Sequence, residues 1–250
     1  MKPKRNDNVK RGMFAIYINK VYGMLTALLL CMLPGVLPAQ RVKAVDLGLS
    51  VRWANMNVGA DSPEDYGDYF AWGEVTAKRY YGKYSAYKHF DNLRLRKYNY
   101  LKSRGSDGLT ILQLSDDAAT KRMGKGWRMP TEEEMNELLD TARCIITPAT
   151  SNGTRGIWVK NRVAGGDSLF LPMAGYRDYG TYRFFPGTQC YYWTSTLAVP
   201  SDTLPQARRD SLAADMVRTA KCLIYTGSEV PGIGTLDRRN GCVIRAVRSR

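Results

Sequence analysis

The stretch Gly124–Leu139, GKGWRMPTEEEMNELL, constrains the fold more than any other, because it fixes where one helix begins and which face it buries. Pro130 stops a helix from running in from the N-terminal side and keeps Met129 extended. Thr131 followed three positions later by Glu134 is a capping box: the Thr131 hydroxyl accepts from the Glu134 N–H, and the Glu134 carboxylate accepts from the Thr131 N–H. Glu132 and Glu133 fall in the first turn, at the positive end of the helix dipole. Met135, Leu138 and Leu139 follow at helical spacing and form the apolar stripe. Four carboxylates in one window (Glu132, Glu133, Glu134 and Glu137) would also suit an acid/base or metal site. Each of them, however, has a helix-terminal duty or faces solvent, so the window reads as a capped helix start.

Around this helix the chain reads as β-structure. Leu49, Val51 and Trp53 alternate as in a half-buried strand, and Trp53 and Trp72 are the expected core anchors of the segment Val45–Val75. RGIWVKNRV, DSLFLPMAGYRD and QCYYWTSTLAV are β-prone and separated by turn residues. AADMVRTAKCLIYTG and NGCVIRAVRS read as two strands of a hairpin, joined by SEVPGIGTLDRRNG as a long loop. LSDDAATKRM reads as a short helix capped by Ser115 or Asp116, with Asp116 and Asp117 more apt for the helix terminus than for a cation. No solenoid repeat and no linker divides the chain, so residues 45–250 are expected to form one domain.

The N-terminus has the layout of a secretory signal peptide, expected to span residues 1–39. Lys2, Lys4, Arg5, Lys10, Arg11 and Lys20 precede an apolar run, Met24–Leu33, of about ten residues, where a bilayer-spanning helix needs ~20. A lipid anchor at Cys31 is disfavoured by the bulky Leu30 before it. Residues 1–39 carry six basic groups and one acidic one, so a chain cleaved after Ala39 keeps +9 of the formal +14. Four cysteines then remain in an exported chain. Cys222 with Cys242, at the two ends of the expected hairpin, and Cys144 with Cys190 are the candidate disulfides.

Lys78–Gly108 interleaves basic residues with tyrosines and has no clean period. Such a segment could hold a polyanion, and outside the cell an anionic polysaccharide is the apt one. The simpler expectation is a solvated loop whose tyrosines tie it to the domain. Nucleic acid is not an expected partner of an exported chain, and membrane contact is expected only through the signal segment or a Cys31 anchor.

The residue inventory argues against most enzyme chemistries. The single histidine, His89, rules out a multi-histidine metal site and leaves nucleophile-base arrangements without a base near them. No phosphate-cradling or dinucleotide glycine motif occurs. A paired-carboxylate glycosidase stays open by residue type, with no pair singled out.

Five blocks in order, VDLGLSVRWANMNVGADSPEDYGDYFAWGE, LSDDAAT with GKGWRMPTEEEMNELL, LFLPMAGYRD, YYWTSTL and GCVIRAVR, resemble the Fibrobacter succinogenes major paralogous domain, a family of exported proteins of Bacteroidota and relatives. The WRMPTEEEMNELL block also resembles the helix start of the formylglycine-generating sulfatase-modifying family. The resemblance implies an α+β, C-type-lectin-like fold: two helices packed on small, twisted antiparallel sheets with long loops. The catalysis of that superfamily does not carry over. Its two closely spaced C-terminal cysteines are absent, since Cys222 and Cys242 lie twenty apart, and its iron oxygenases need several histidines. The EPN, QPD and WND segments of calcium-dependent lectins are absent too.

The expectation is therefore a non-enzymatic binding or adhesion module at the cell envelope, with no cofactor and no metal, taking a glycan or an envelope protein. Tyr176, Arg177, Asp178, Tyr192 and Trp193 are its candidate contact residues. The alternatives are a structural subunit of a surface assembly, such as a pilus tip or outer-membrane complex, and a divergent enzyme of the formylglycine-generating superfamily.

Overall fold

A computed structural model describes residues 42–91, 94–100, 105–163, 166–201, 204–205, 207–209, 212, 216–227 and 230–250. The expected signal segment and Cys31 lie outside these residues, as do Lys102 and Arg104 of the basic segment. Gln40–Arg250 forms one compact unit.

The class is α+β. Three small sheets, each of three strands, carry the fold, and every strand pairing in them is antiparallel. The first joins β1 (Ala44–Val45), β2 (Val51–Ala54) and β13 (Val247–Ser249), so the two ends of the described chain share one sheet. Two-residue strands β3 (Phe90–Asp91) and β4 (Arg94–Leu95) form a small ribbon. Helices α1 (Ala118–Met123) and α2 (Glu132–Leu139) precede the second sheet, β5 (Cys144–Ser151), β6 (Thr154–Asn161) and β7 (Ser168–Pro172). A hairpin follows, β8 (Tyr176–Asp178) with β9 (Tyr182–Phe184). The third sheet is β10 (Cys190–Leu197), β11 (Thr219–Tyr225) and β12 (Gly232–Asp237).

The α2 start follows the chemistry of its sequence. The Thr131 side chain accepts from the Glu134 N–H at 3.3 Å, and Glu134 accepts from the Thr131 N–H at 2.9 Å. Arg128 clamps the same Glu134 carboxylate through two of its nitrogens. Glu132 pairs with Lys221 at 2.9 Å, Glu137 holds Ser50 and Arg143, and Glu133 is exposed. Met135, Leu138 and Leu139 are buried. At α1 the cap is Asp117, which accepts from Thr120, and not Ser115 or Asp116. Asp116 is drawn away by Lys88, Lys97 and the Tyr98 hydroxyl.

Two strands depart from the sequence reading. β12 lies inside the segment expected to be loop and is the true hairpin partner of β11, with Cys222 opposite Gly234. Glycine suits that position, because a Cβ on Gly234 would sit 2.6 Å from the end of the Ile224 side chain, which would have to shift. β5 contains Pro148, which suits its place at a sheet edge, where one face of the backbone needs no ladder partner. β12 is likewise paired on one side only.

Neither expected disulfide is formed. Cys144, Cys190, Cys222 and Cys242 are all free and fully buried thiols. Cys242 sits opposite Phe70 rather than at the end of a hairpin with β11, so the topology that suggested its pairing with Cys222 is not the one adopted. The cysteines act as small apolar core residues: Cys144 and Cys190 in the cluster around Trp53 and Tyr192, Cys222 and Cys242 in the cluster around Trp72 and Trp193.

Candidate functional site

Three of the five expected contact residues come together on the β8–β9 hairpin. Gly175 sets its direction, at φ +63° and with Phe184 O only 1.9 Å from where a Cβ would lie, so no other residue fits. The register is Tyr176 with Phe184, Arg177 with Arg183 and Asp178 with Tyr182. The hairpin is pinned at both ends. Arg177 and Gly241 exchange backbone hydrogen bonds at 2.7 and 2.8 Å, and Gly180 at the tip exchanges two with Tyr81 at 2.9 and 3.0 Å. A surface loop is thereby held rigid by the scaffold.

One face of the hairpin is aromatic. Tyr176 stacks on Phe184, with ring centroids 5.4 Å apart, and meets Tyr191 edge-on at 4.8 Å. Outside this stack the rings are open to solvent: Tyr179 is 79% exposed, Tyr182 71%, Tyr80 56% and Phe185 47%. Tyr179 and Phe185 also hold left-handed backbone conformations, φ 46° and 57°, which bulky side chains adopt at a cost of about 1–3 kcal/mol each. Asp178 accepts from the Tyr179 N–H at 2.7 Å, which stiffens the turn. The other face carries Arg177 over the Tyr69 ring at 4.7 Å and Arg183 over the Tyr66 ring at 5.4 Å.

Tyr192 and Trp193 are not part of this surface. Both are fully buried. Tyr192 donates its hydroxyl to Pro172 O, and Trp193 donates Nε1–H to Phe70 O, each at 2.8 Å. Every residue of β10 is buried, so its aromatic run serves two cores rather than a ligand. Sequence reasoning missed Tyr179, Tyr182, Arg183 and Phe185. Their signal is the near-symmetric YRDYGTYRFF (Tyr176–Phe185), in which two Tyr-Arg pairs flank a Tyr-Gly turn.

The basic, tyrosine-rich segment is largely committed to structure. Tyr81, Tyr87 and Tyr98 are buried, Lys78 pairs with Glu74 at 2.8 Å, and Lys88 and Lys97 share Asp116. His89 is buried and donates Nε2–H to Gly73 O at 2.9 Å. Burial holds its pKa below the usual value, against the pull of the Gly73 carbonyl and Asp116. The four thiols are likewise pushed up by burial, away from reactive thiolate. Among the described residues, no group of three or more His, Cys, Asp or Glu is arranged to hold a metal ion. A groove of about 980 Å3 opens beside the start of α2, between Ile111, Leu197, Val199 and Met216, where Lys221 is already held by Glu132.

The histidine makes a pH prediction. Its folded pKa lies below the unfolded value of about 6.5, so the stability it contributes is present above that pH. That stability is lost as pH falls towards the folded pKa, because the unfolded chain takes the proton first. The expected result is a smaller drop in Tm between pH 7.5 and 5.0 for His89→Phe than for the wild type. An equal drop in both would show that His89 is not the group titrating.

Compared with protein-family models, with curated proteins and with solved structures, the chain returns no match.

Proposed function

We propose that this chain is an exported, non-enzymatic binding module of the bacterial cell envelope that takes a glycan on the β8–β9 hairpin. The observation that carries the reading is the set of solvent-facing rings, Tyr179, Tyr182, Phe185 and Tyr80, around a hairpin pinned to the scaffold at both ends. Sugar rings present apolar C–H faces, and rigid exposed aromatics provide flat partners for them at little entropic cost. Left-handed backbone at two of these rings fits a surface shaped for contact rather than for stability. The proposal extends to the scaffold. Short helices beside small antiparallel sheets, together with the ordered sequence blocks, support a C-type-lectin-like fold of the Fibrobacter succinogenes major paralogous kind.

The test is a glycan array of neutral and charged saccharides probed with the purified protein and with Tyr182→Ala and Tyr179→Ala. Both side chains are exposed, so Tm should stay within a degree or two of wild type, while affinity falls about tenfold or more, as expected for an aromatic anchor. Binding unchanged by both substitutions would remove the hairpin from the reading. A blank array together with self-association in sedimentation would favour a structural subunit instead, joined through the unpaired edge of β12.

A further inference from the structure

Arg177 and Arg183 stand directly opposite one another across the β8–β9 pair. Side chains so placed have Cβ atoms about 4.5–5.5 Å apart, and like charges there repel. Several other arginines are paired with a carboxylate: Arg52 and Arg250 with Asp46, Arg122 with Asp68, Arg128 with Glu134, Arg143 with Glu137 and Arg239 with Asp237. Among the described residues, neither Arg177 nor Arg183 has a carboxylate within ion-pair distance. The nearest in sequence, Asp178, belongs to the opposite face, where it accepts from the Tyr179 N–H and faces Gly82.

The two cations are nevertheless held in place. Each guanidinium lies over a tyrosine ring, which fixes its plane, and Arg183 is held further by a hydrogen bond to Tyr69. Both also act on Tyr69: burial pushes that phenol up to about 12, and Arg183 and then Arg177 pull against it. They therefore converge on one ring. Arg177 Nε is buried with no hydrogen-bond partner, as is Arg238 Nε, so what Arg177 can offer a ligand is its remaining guanidinium N–H groups. A pre-oriented arginine pair without a carboxylate partner has the chemistry of a site for a planar or tetrahedral oxyanion.

We propose that Arg177 and Arg183 form an anion subsite that selects acidic saccharides, binding a sulfate or carboxylate substituent of a glycan whose ring lies on the hairpin's aromatics. This deepens the function proposed above and rests on it.

The experiment measures binding of purified wild-type protein to dextran sulfate, polygalacturonate and uncharged dextran at fixed ionic strength. The variants are Arg177→Gln with Arg183→Gln, the same two positions changed to Lys, Tyr182→Ala, and a charge-matched control, Lys125→Gln with Lys160→Gln. The control lysines are exposed and lie elsewhere. Losing two charge-assisted contacts should weaken binding to the charged polymers about tenfold or more in the glutamine pair. The lysine pair should be intermediate, since it keeps the charge but loses the planar fork, and the control should stay within about twofold. Which acidic polymer binds tighter decides between sulfate and carboxylate. An equal loss in the control would reduce the effect to diffuse surface charge and overturn the subsite. Binding of uncharged dextran as tightly as the charged polymers, still lost on Tyr182→Ala, would overturn the subsite and leave the glycan reading standing. Charged-polymer binding lost in the glutamine pair but untouched by Tyr182→Ala would keep the subsite and remove the aromatic platform. Should the glutamine pair fail to fold, the lysine pair, which preserves charge and packing, carries the same comparison against the control.

Discussion

Arg245→Ala is expected to remove about 4 kcal/mol of folding stability, the range seen when a buried, hydrogen-bonded charge is deleted and its partners are stranded. Arg245 is fully buried and has no carboxylate partner among the described residues. Its Nε donates to Asn57 Oδ1 at 2.9 Å, Nη1 to Ala54 O at 3.1 Å and Nη2 to Phe170 O at 2.9 Å. These acceptors lie on or beside β2 and β7, and Asn57 also reaches the Tyr192 hydroxyl of β10. One side chain thus ties together three sheets that share no backbone ladder. Burial draws the guanidinium pKa down to about 10, with Tyr192 pulling the other way, so the group is charged at neutral pH. Alanine would leave two carbonyls and an amide oxygen buried without donors and open a cavity as well. Methionine fills the volume but cannot serve backbone carbonyls, so it should recover less than half of the loss. Against a typical total of 5–15 kcal/mol, such a loss should lower the urea midpoint sharply. A denaturation midpoint for Arg245→Ala within experimental error of wild type would sink this account.

Arg245 also shows where sequence reading stops. In GCVIRAVRS it is one arginine among residues apolar on both faces, so alternation does not say which side it takes. It points inward because the segment bridges to Tyr192 on one side while the backbone of Ala54 meets it on the other, a coincidence of distant parts that no local pattern encodes. The α2 start was legible because capping and dipole effects act within one turn, and Thr131 to Glu134 contains all the participants. β12 was hidden for the opposite reason. Its glycines mark a loop by propensity, yet Gly234 lies within a strand, under the end of the Ile224 side chain of the neighbouring strand. At the candidate site, the residues of β8 could be named, whereas Arg183 gained meaning only from the register that sets it opposite Arg177.

The same limit explains Trp193, whose replacement by alanine should cost about 3–5 kcal/mol, as for other large-to-small changes in a packed core. YYW in a β-prone run is compatible with a ligand platform or with a core strand, because a strand covered on both faces loses the alternation that would tell them apart. Here both faces are covered: Tyr192 joins the cluster of Leu138, Val159 and Leu223, and Trp193 joins that of Phe70, Met129 and Ile244. Trp193→Ala would vacate the centre of the second cluster and remove one of the two donors to Phe70 O, leaving only the Cys242 N–H. Its effect on any binding assay would then report unfolding, not contact. Trp193→Phe separates the two. It keeps most of the volume and loses the Nε1–H donor, so it should cost about 1–3 kcal/mol and leave the molecule folded. On that folded variant, glycan affinity should match wild type, while Tyr182→Ala, which leaves stability intact, should abolish most of it. Paired urea titrations and binding isotherms on the two variants make the comparison. Binding lost in folded Trp193→Phe and retained in Tyr182→Ala would place the contact at β10 after all, and would mean that the sheet opens to admit a ligand.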